Sequence, residues 1–254
     1  MPKNNQLSSA HRQKLDKLLM VPDRRTSDSS ILQAAIGYAE AEARVENVVA
    51  VVSDLANGKS HIVSSGLGCE LGLSAYREEA SIWESEILSL MSPEEREEKY
   101  IAELRFFHYL RHIPKHRRAN YYLISRLRLR FADGNVREVL HRMYYFYEPE
   151  GERVVCAVCL YGLSPFVPSG KSYAVDTLTG TAEELTVSAN SAVLIRRERQ
   201  VLALIDSGLK SAEIADRLNI SVHTVSRHRQ EILASLQVKN SMEACRIAKS
   251  MKLI

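Results

Sequence analysis

The sequence predicts an α+β domain followed by a separate all-α domain of four helices, and three observations predict it. Strand-type alternation and the turn dipeptides Asn57-Gly58 and Asp133-Gly134 run through the first two thirds of the chain. The segment SPFVPSGKSYAVDTLTGTAEEL at 164–185, rich in Pro, Gly, Ser and Thr, breaks both the helical and the strand period. Beyond Leu194 the apolar spacing is helical throughout. At 254 residues with 45% apolar content, the chain is long enough for two domains, each with its own core.

Residues 7–20 and 28–45 are expected as helices, the second capped by Ser27 or Asp28 and carrying Ile31, Ala35, Ile36 and Ala39 at helical spacing. VVAVVSD at 48–54 and KSHIVSS at 59–65 then flank Asn57-Gly58 as a β-hairpin. Residues 66–112 return to helical spacing, with Trp83, Ile87, Leu88 and Met91 on one apolar stripe and Ile101, Leu104, Phe107 and Leu110 on the next. Three strands follow at about 120–131, 136–147 and 153–163. In the first, Leu127, Leu129 and Phe131 alternate with Arg126, Arg128 and Arg130. The organisation is therefore N-terminal helices at 1–45, a mixed domain at 46–163, a linker at 164–189 and a helical domain at 190–254.

In the helical domain, Val201, Leu202, Leu204 and Ile205 form the stripe of a first helix that ends near Ser207, with Gly208 where a left-handed cap belongs. Ser211 is placed to cap the second helix. Glu213 puts a negative charge in its first turn, and Ile214, Ala215 and Leu218 form its buried side. Ser221 caps a third helix, whose Val225, Ile232, Leu233 and Leu236 face inward and whose His223, Ser226, Arg227 and Gln230 lie on another side. A fourth helix, about Ser241 to Met251, carries Ala244, Ile247, Ala248 and Met251. Residues 190–254 hold eleven Lys plus Arg against six acids, a net +5 in a chain of net +3, so the basic charge is confined to this module.

The run LIRRERQVLALIDSGLKSAEIADRLNISVHTVSRHRQEILASLQVKN resembles the LuxR-type, or GerE-like, helix-turn-helix. The matching positions are Arg197, Glu198, Val201, Leu202, Gly208, Glu213, Ile214, Ala215, Leu218, Ile220, Ser221, Thr224, Val225, His228, Ile232 and Leu236. Ile195 and Ser235 depart from it, standing where the family usually has a capping Thr and a basic residue. Ser191 or Asn190 is left to cap the first helix. The resemblance implies a transcriptional regulator whose third helix reads duplex DNA. His223, Ser226, Arg227 and Gln230 are the base-reading candidates, and Lys210, Ser221, Thr224, His228, Arg229 and Lys239 the phosphate candidates. It further implies a homodimer, with the fourth helix as a dimer contact and RNA polymerase as a candidate partner. Over roughly 45–163 the element order of two strands, a helical middle and three antiparallel strands resembles a PAS domain, a sensor module that encloses a small cavity. A small-molecule ligand there is an expectation, and no other cofactor is implied.

Other chemistries find less support in the residues. Cys156 and Cys159 spell Cys-x-x-Cys, but on a strand residues three apart point to opposite faces and cannot share an ion, so they read as small buried side chains. The four cysteines are expected to be reduced. His108, His112 and His116 lie among Lys115, Arg117 and Arg118 and read as a solvated basic loop rather than a metal site. Asp54 ends a strand as a phosphorylated receiver domain would require, but three consecutive strands do not suit that parallel sheet. Trp83 is followed four positions on by Ile87, not by the Tyr found in acyl-homoserine-lactone sensors. Gly66, Gly68 and Gly72 lack dinucleotide-binding spacing, and no nucleophile set announces an enzyme. No run approaches the ~18 apolar residues of a membrane span, and MPKNNQ lacks signal-peptide build, so a cytoplasmic location is expected. The competing class is a protein-interaction or response-regulator-like module whose helical tail binds another protein.

Overall fold

Two strand-turn-strand signals and one long apolar strand dictate a single antiparallel sheet. In the computed structural model of the chain, described for residues 10–19, 29–149, 153–164, 170–185, 194, 196–236, 238–250 and 253–254, that sheet is formed. The chain divides into two units: Met1–Leu104 with Ile113–Glu184, and Arg105–His112 with Leu185–Ile254.

In the first unit α1 (Ala10–Leu19) and α2 (Ser29–Val45) precede β1 (Val49–Asp54) and β2 (Lys59–Val63). Then come α3 (Gly66–Glu70), the two-residue β3 (Glu78–Glu79), α4 (Ser85–Ser89), α5 (Pro93–His112), whose residues from Arg105 on belong to the second unit, and a 3-10 turn (Lys115–Asn120). The strands β4 (Tyr121–Arg130), β5 (Val136–Tyr147), β6 (Val154–Gly162), β7 (Ser172–Asp176) and β8 (Ala182–Glu184) complete it. The order across the sheet is β3-β2-β1-β6-β5-β4-β7-β8, and every pairing is antiparallel. Gly58 and Gly134 adopt φ +64° and +84° at the two hairpin turns, a backbone that a side chain resists. The all-antiparallel pairing is incompatible with the parallel sheet of a receiver domain. Asp54 is buried, its Oδ1 accepting the Ala56 and Asn57 backbone N–H at 3.0 and 3.1 Å, as a turn-building carboxylate does.

Strand parity sorts the core. Ala50 and Val52 of β1 and Cys156, Val158 and Leu160 of β6 pack under Ala35, Ala39 and Ala43 of α2. Tyr122 and Tyr144 stack on the same face, their ring centroids 4.9 Å apart. Residues of the opposite parity, including Met143, Tyr145, Ala157 and Cys159, turn to the other face. Cys156 and Cys159 are therefore separated by the sheet, and all four thiols are free.

Four expectations need correction. The stretch 164–185 is not all linker: β7 pairs with β4, and β8 with β7, around Gly180 at φ +71°. Its Thr and Gly residues are the turn chemistry of a hairpin, with Asp176 Oδ1 accepting the Leu178 N–H at 2.9 Å and Oδ2 held by Arg117 at 2.7 Å. Residues 66–112 are not continuously helical, since 71–84 holds a two-residue strand and turns. On α5 the inward side carries Lys99, Glu103, Leu104, Phe106 and Leu110, whereas Ile101 and Phe107 are only half-buried. His108 is buried rather than solvated, while His112, Lys115 and His116 are exposed as expected. The caps expected from Ser27 or Asp28 and from Asn190 or Ser191 lie outside the described residues.

Candidate nucleic-acid interface

The second unit's helices begin and end where the sequence places start and stop chemistry. α6 (Arg196–Asp206) closes on Gly208 at φ +85°, with the Leu209 N–H reaching back to the Leu204 carbonyl at 3.1 Å. α7 (Ser211–Leu218) closes in the same way on Asn219 at φ 57°, with the Ile220 N–H bonded to the Ala215 carbonyl at 3.0 Å. This second left-handed cap supplies the tight turn between α7 and α8 (Val222–Leu236), and Asn at that position was its signal. The Arg197 guanidinium donates to the Leu218 carbonyl, placing a cation at the end of α7.

The start of α7 differs from expectation. Lys210, not Ser211, is the N-cap, and its backbone N–H is held by Glu213 Oε2 at 2.6 Å. Ser211 is already helical, and its Oγ accepts from Arg229 Nη1 at 2.9 Å. Ser221 does cap α8, accepting the Thr224 N–H at 3.0 Å. Ser221→Ala is expected to lower the thermal stability of this unit by about 1 kcal/mol, and Ser221→Asp to retain most of it. Circular dichroism melting of the two variants checks this.

Ile214 and Ala215 of α7 and Val225, Ile232 and Leu236 of α8 are buried, which turns the other side of α8 outward. His223, Ser226, Arg227 and Gln230 are all exposed, and their spacing of three, one and three residues makes one contiguous stripe. Arg227 is fixed from behind, its Nε 3.1 Å from Glu231 Oε1. The other oxygen of Glu231 lies 3.2 Å from Nδ1 of buried His228. One carboxylate thus orients an exposed guanidinium and a buried imidazole together.

The expected phosphate contacts divide. Lys210, Ser221 and Lys239 are exposed. Thr224 is half-buried, its hydroxyl 2.8 Å from that of Ser221. Arg229 is half-buried and bridges Ser211 and Ser241, the latter at 3.1 Å, thereby tying α7, α8 and α9 (Ser241–Ser250) together. His228 faces inward. α9 buries Ala244, Ile247 and Ala248 and leaves Met242 exposed, while Met251 lies outside the described residues.

Three helices joined by left-handed caps, the third presenting a polar stripe on a basic module, define a helix-turn-helix domain. Residues 192–248 match the family of bacterial regulatory proteins, luxR family, so the chain carries a LuxR-family helix-turn-helix at its C-terminal end. The oxygen regulatory protein NreC of Staphylococcus carnosus (strain TM300) is 37% identical over 62 residues, 24% of this chain and 29% of that protein. NreC of Staphylococcus aureus (strain JH9) matches to the same extent. The chain thus spans under a third of the length of these curated relatives. Among solved structures, the phage VqmA–DPO complex has a TM-score of 0.34 at 14% identity, covering 88% of each chain. The Vibrio cholerae VqmA dimer gives 0.29 at 14%, covering 84% of this chain and 86% of that one. Escherichia coli SdiA gives 0.24 at 15%, covering 66% and 94%. Among the described residues, no helix is long and apolar enough to cross a membrane.

Proposed function

We propose that the protein is a transcriptional regulator that binds duplex DNA as a homodimer through α8, under the control of a PAS-like sensory domain in its first unit. The observation that carries this reading is the exposed stripe His223, Ser226, Arg227 and Gln230 on a helix-turn-helix of the LuxR family. Arg can donate two bonds to guanine, Gln can bond adenine bidentately, and Ser and His accept or donate at either edge. Lys210 and Lys239 stand free to meet the backbone. The PAS-like reading is supported by the five contiguous strands β2-β1-β6-β5-β4, with the short helices and α5 inserted between β2 and β4. The regulator acts in the cytoplasm, with RNA polymerase as a further partner, and the chain has no catalytic role.

Arg227→Ala is expected to weaken binding to a selected operator by about 1–3 kcal/mol and to relax base preference at one position, with random duplex little affected. Lys210→Ala and Lys239→Ala are expected to weaken all duplexes alike, each lowering the slope of log K against log salt by about 0.9. Operators selected from random genomic fragments, assayed by fluorescence anisotropy at several salt concentrations, supply both readouts. An absence of duplex binding by the full chain at low salt would leave the tail as a protein-binding module and end the regulator reading.

A further inference from the structure

The face of the sheet away from α2 buries charge. Lys99 Nζ of α5 lies 2.6 Å from Glu103 Oε1 and 3.0 Å from Glu84 Oε1, and Glu84 also accepts the Tyr161 hydroxyl. Lys99 and Glu84 are 1% and 2% accessible at the side chain. Against this network stand two polar side chains that it does not use. His141 of β5 is 0% exposed, stacks on Tyr161 with centroids 4.9 Å apart, and has a hydrogen-bond partner at neither ring nitrogen among the described residues. Cys159 of β6 is buried with a free thiol. The register pairs His141 with Tyr161 and Met143 with Cys159, so His141 and Cys159 are diagonal neighbours on one face. One donor atom each from Glu103, His141 and Cys159 lie within 4.8 Å of one another.

A buried imidazole with two unused nitrogens is costly, and a metal ion is one of the few partners that repays it. We propose that Glu103, His141 and Cys159 bind one divalent transition metal of the zinc class. The donor set selects it: sulfur and imidazole nitrogen suit zinc and its neighbours, whereas magnesium and calcium require oxygen. The donors of a tetrahedral zinc, with bonds of about 2.0–2.3 Å, sit roughly 3.3–3.8 Å apart, so side-chain shifts of roughly 1–1.5 Å close the set.

Charge selects it too. Glu84, Lys99 and Glu103 together carry one net negative charge when all are ionised. A divalent ion adds two positive charges, and its bond to sulfur sends the Cys159 proton to solvent, so the cluster becomes neutral. A cavity of about 20 Å³, room for one water, adjoins Glu103 and Cys159 but is not lined by His141. Three protein ligands leave a fourth position for a water molecule. This assignment does not depend on DNA binding, and its measurements are read without DNA.

The full chain, stripped with chelator and titrated with Zn²⁺ or Co²⁺, should bind one ion at this site, with a sulfur-to-cobalt charge-transfer band in the cobalt form. Cys159→Ser should abolish the band, and both Cys159→Ser and His141→Gln should weaken zinc at least about tenfold. Cys156→Ser, across the sheet, should change neither. Should the variants misfold, zinc-edge X-ray absorption of the unaltered protein decides, with one sulfur at about 2.3 Å expected beside nitrogen and oxygen. A shell without sulfur would point instead to Glu198, His228 and Glu231, the other group of ligand-type side chains among the described residues. That result, no stoichiometric binding, or a charge-transfer band that survives Cys159→Ser overturns the assignment.

Discussion

Lys99→Met, with chelator present, is expected to destabilise the first unit by about 3–5 kcal/mol at neutral pH, the loss typical of removing one partner from a buried ion pair. Lys99 is 1% exposed and stands between two carboxylates that are themselves buried. Burial would lower its pKa, but Glu103 and Glu84 outweigh burial and hold the ammonium well above its usual range. Burial raises the Glu84 carboxyl, yet Lys99 and the Tyr161 bond leave it below the ordinary carboxylate value. Burial dominates at Glu103, which stays raised despite Lys99.

Without the ammonium both acids are pushed upward, so the folded variant prefers their protonated forms. Its stability deficit should therefore be smallest below the unfolded glutamate pKa of about 4.3 and grow as pH rises through the raised folded values. The double variant Lys99→Met/Glu103→Gln should recover part of the loss, because one fewer buried charge is left uncompensated. Trp83 is the chain's single tryptophan, and Lys99 Nζ lies 5.8 Å from its ring centroid. Urea melts followed by its fluorescence at several pH values measure the effect locally. A variant that melts like the parent at neutral pH would mean that Lys99 does not hold these acids together.

This network shows where the sequence stops being legible. Lys99 and Glu103 are four apart on a helix, which reads as a solvated pair worth a few tenths of a kcal/mol. Glu84 and Tyr161 belong to distant segments, and no local period announces that they meet. Helix α5 buries Lys99 and Glu103 together with Leu104, Phe106 and Leu110, so its inward side cannot be found by following apolar residues alone. Strand parity was more reliable. It separates Cys156 from Cys159, and it puts Cys159 with Met143 and Tyr145 although nothing in the sequence pairs β5 with β6 in that register.

The helix-turn-helix was legible almost residue by residue because its signals are local. Gly208 and Ser221 act within one turn of their own positions, and the inward set Ile214, Ala215, Val225, Ile232 and Leu236 follows one helical period. The outward stripe is what remains. What could not be read is how neighbouring side chains divide their duties. His228 and Arg229 sit in a basic run, yet His228 meets Glu231 of its own helix, while Arg229 bridges Ser211 and Ser241, contacts that need three helices in place. The β7–β8 hairpin was missed for a related reason, since a five-residue strand among Pro, Gly and Thr has too few alternations to stand out.

Ile214→Ala is expected to cost the second unit about 2–5 kcal/mol, because Ile214 is fully buried in α7 and truncation removes apolar contact and leaves a cavity. A unit of 78 residues has a total stability on the order of 4–12 kcal/mol, so the loss takes a large part of it. Binding to operator and to random duplex should fall together, in proportion to the fraction folded. Arg227→Ala separates the two effects. Its side chain is 68% exposed and its partner Glu231 is on the same helix, so stability should change by no more than about 0.5 kcal/mol while operator affinity falls. Far-UV circular dichroism follows the helices of both units and Trp83 fluorescence follows the first, so a helical transition that the tryptophan does not share belongs to the second unit. Ile214→Ala should shift the helical transition and leave the tryptophan transition in place. If the helical melt does not move, Ile214 is not part of the core that turns the stripe of α8 outward, and the packing that presents those four residues to DNA must be redrawn.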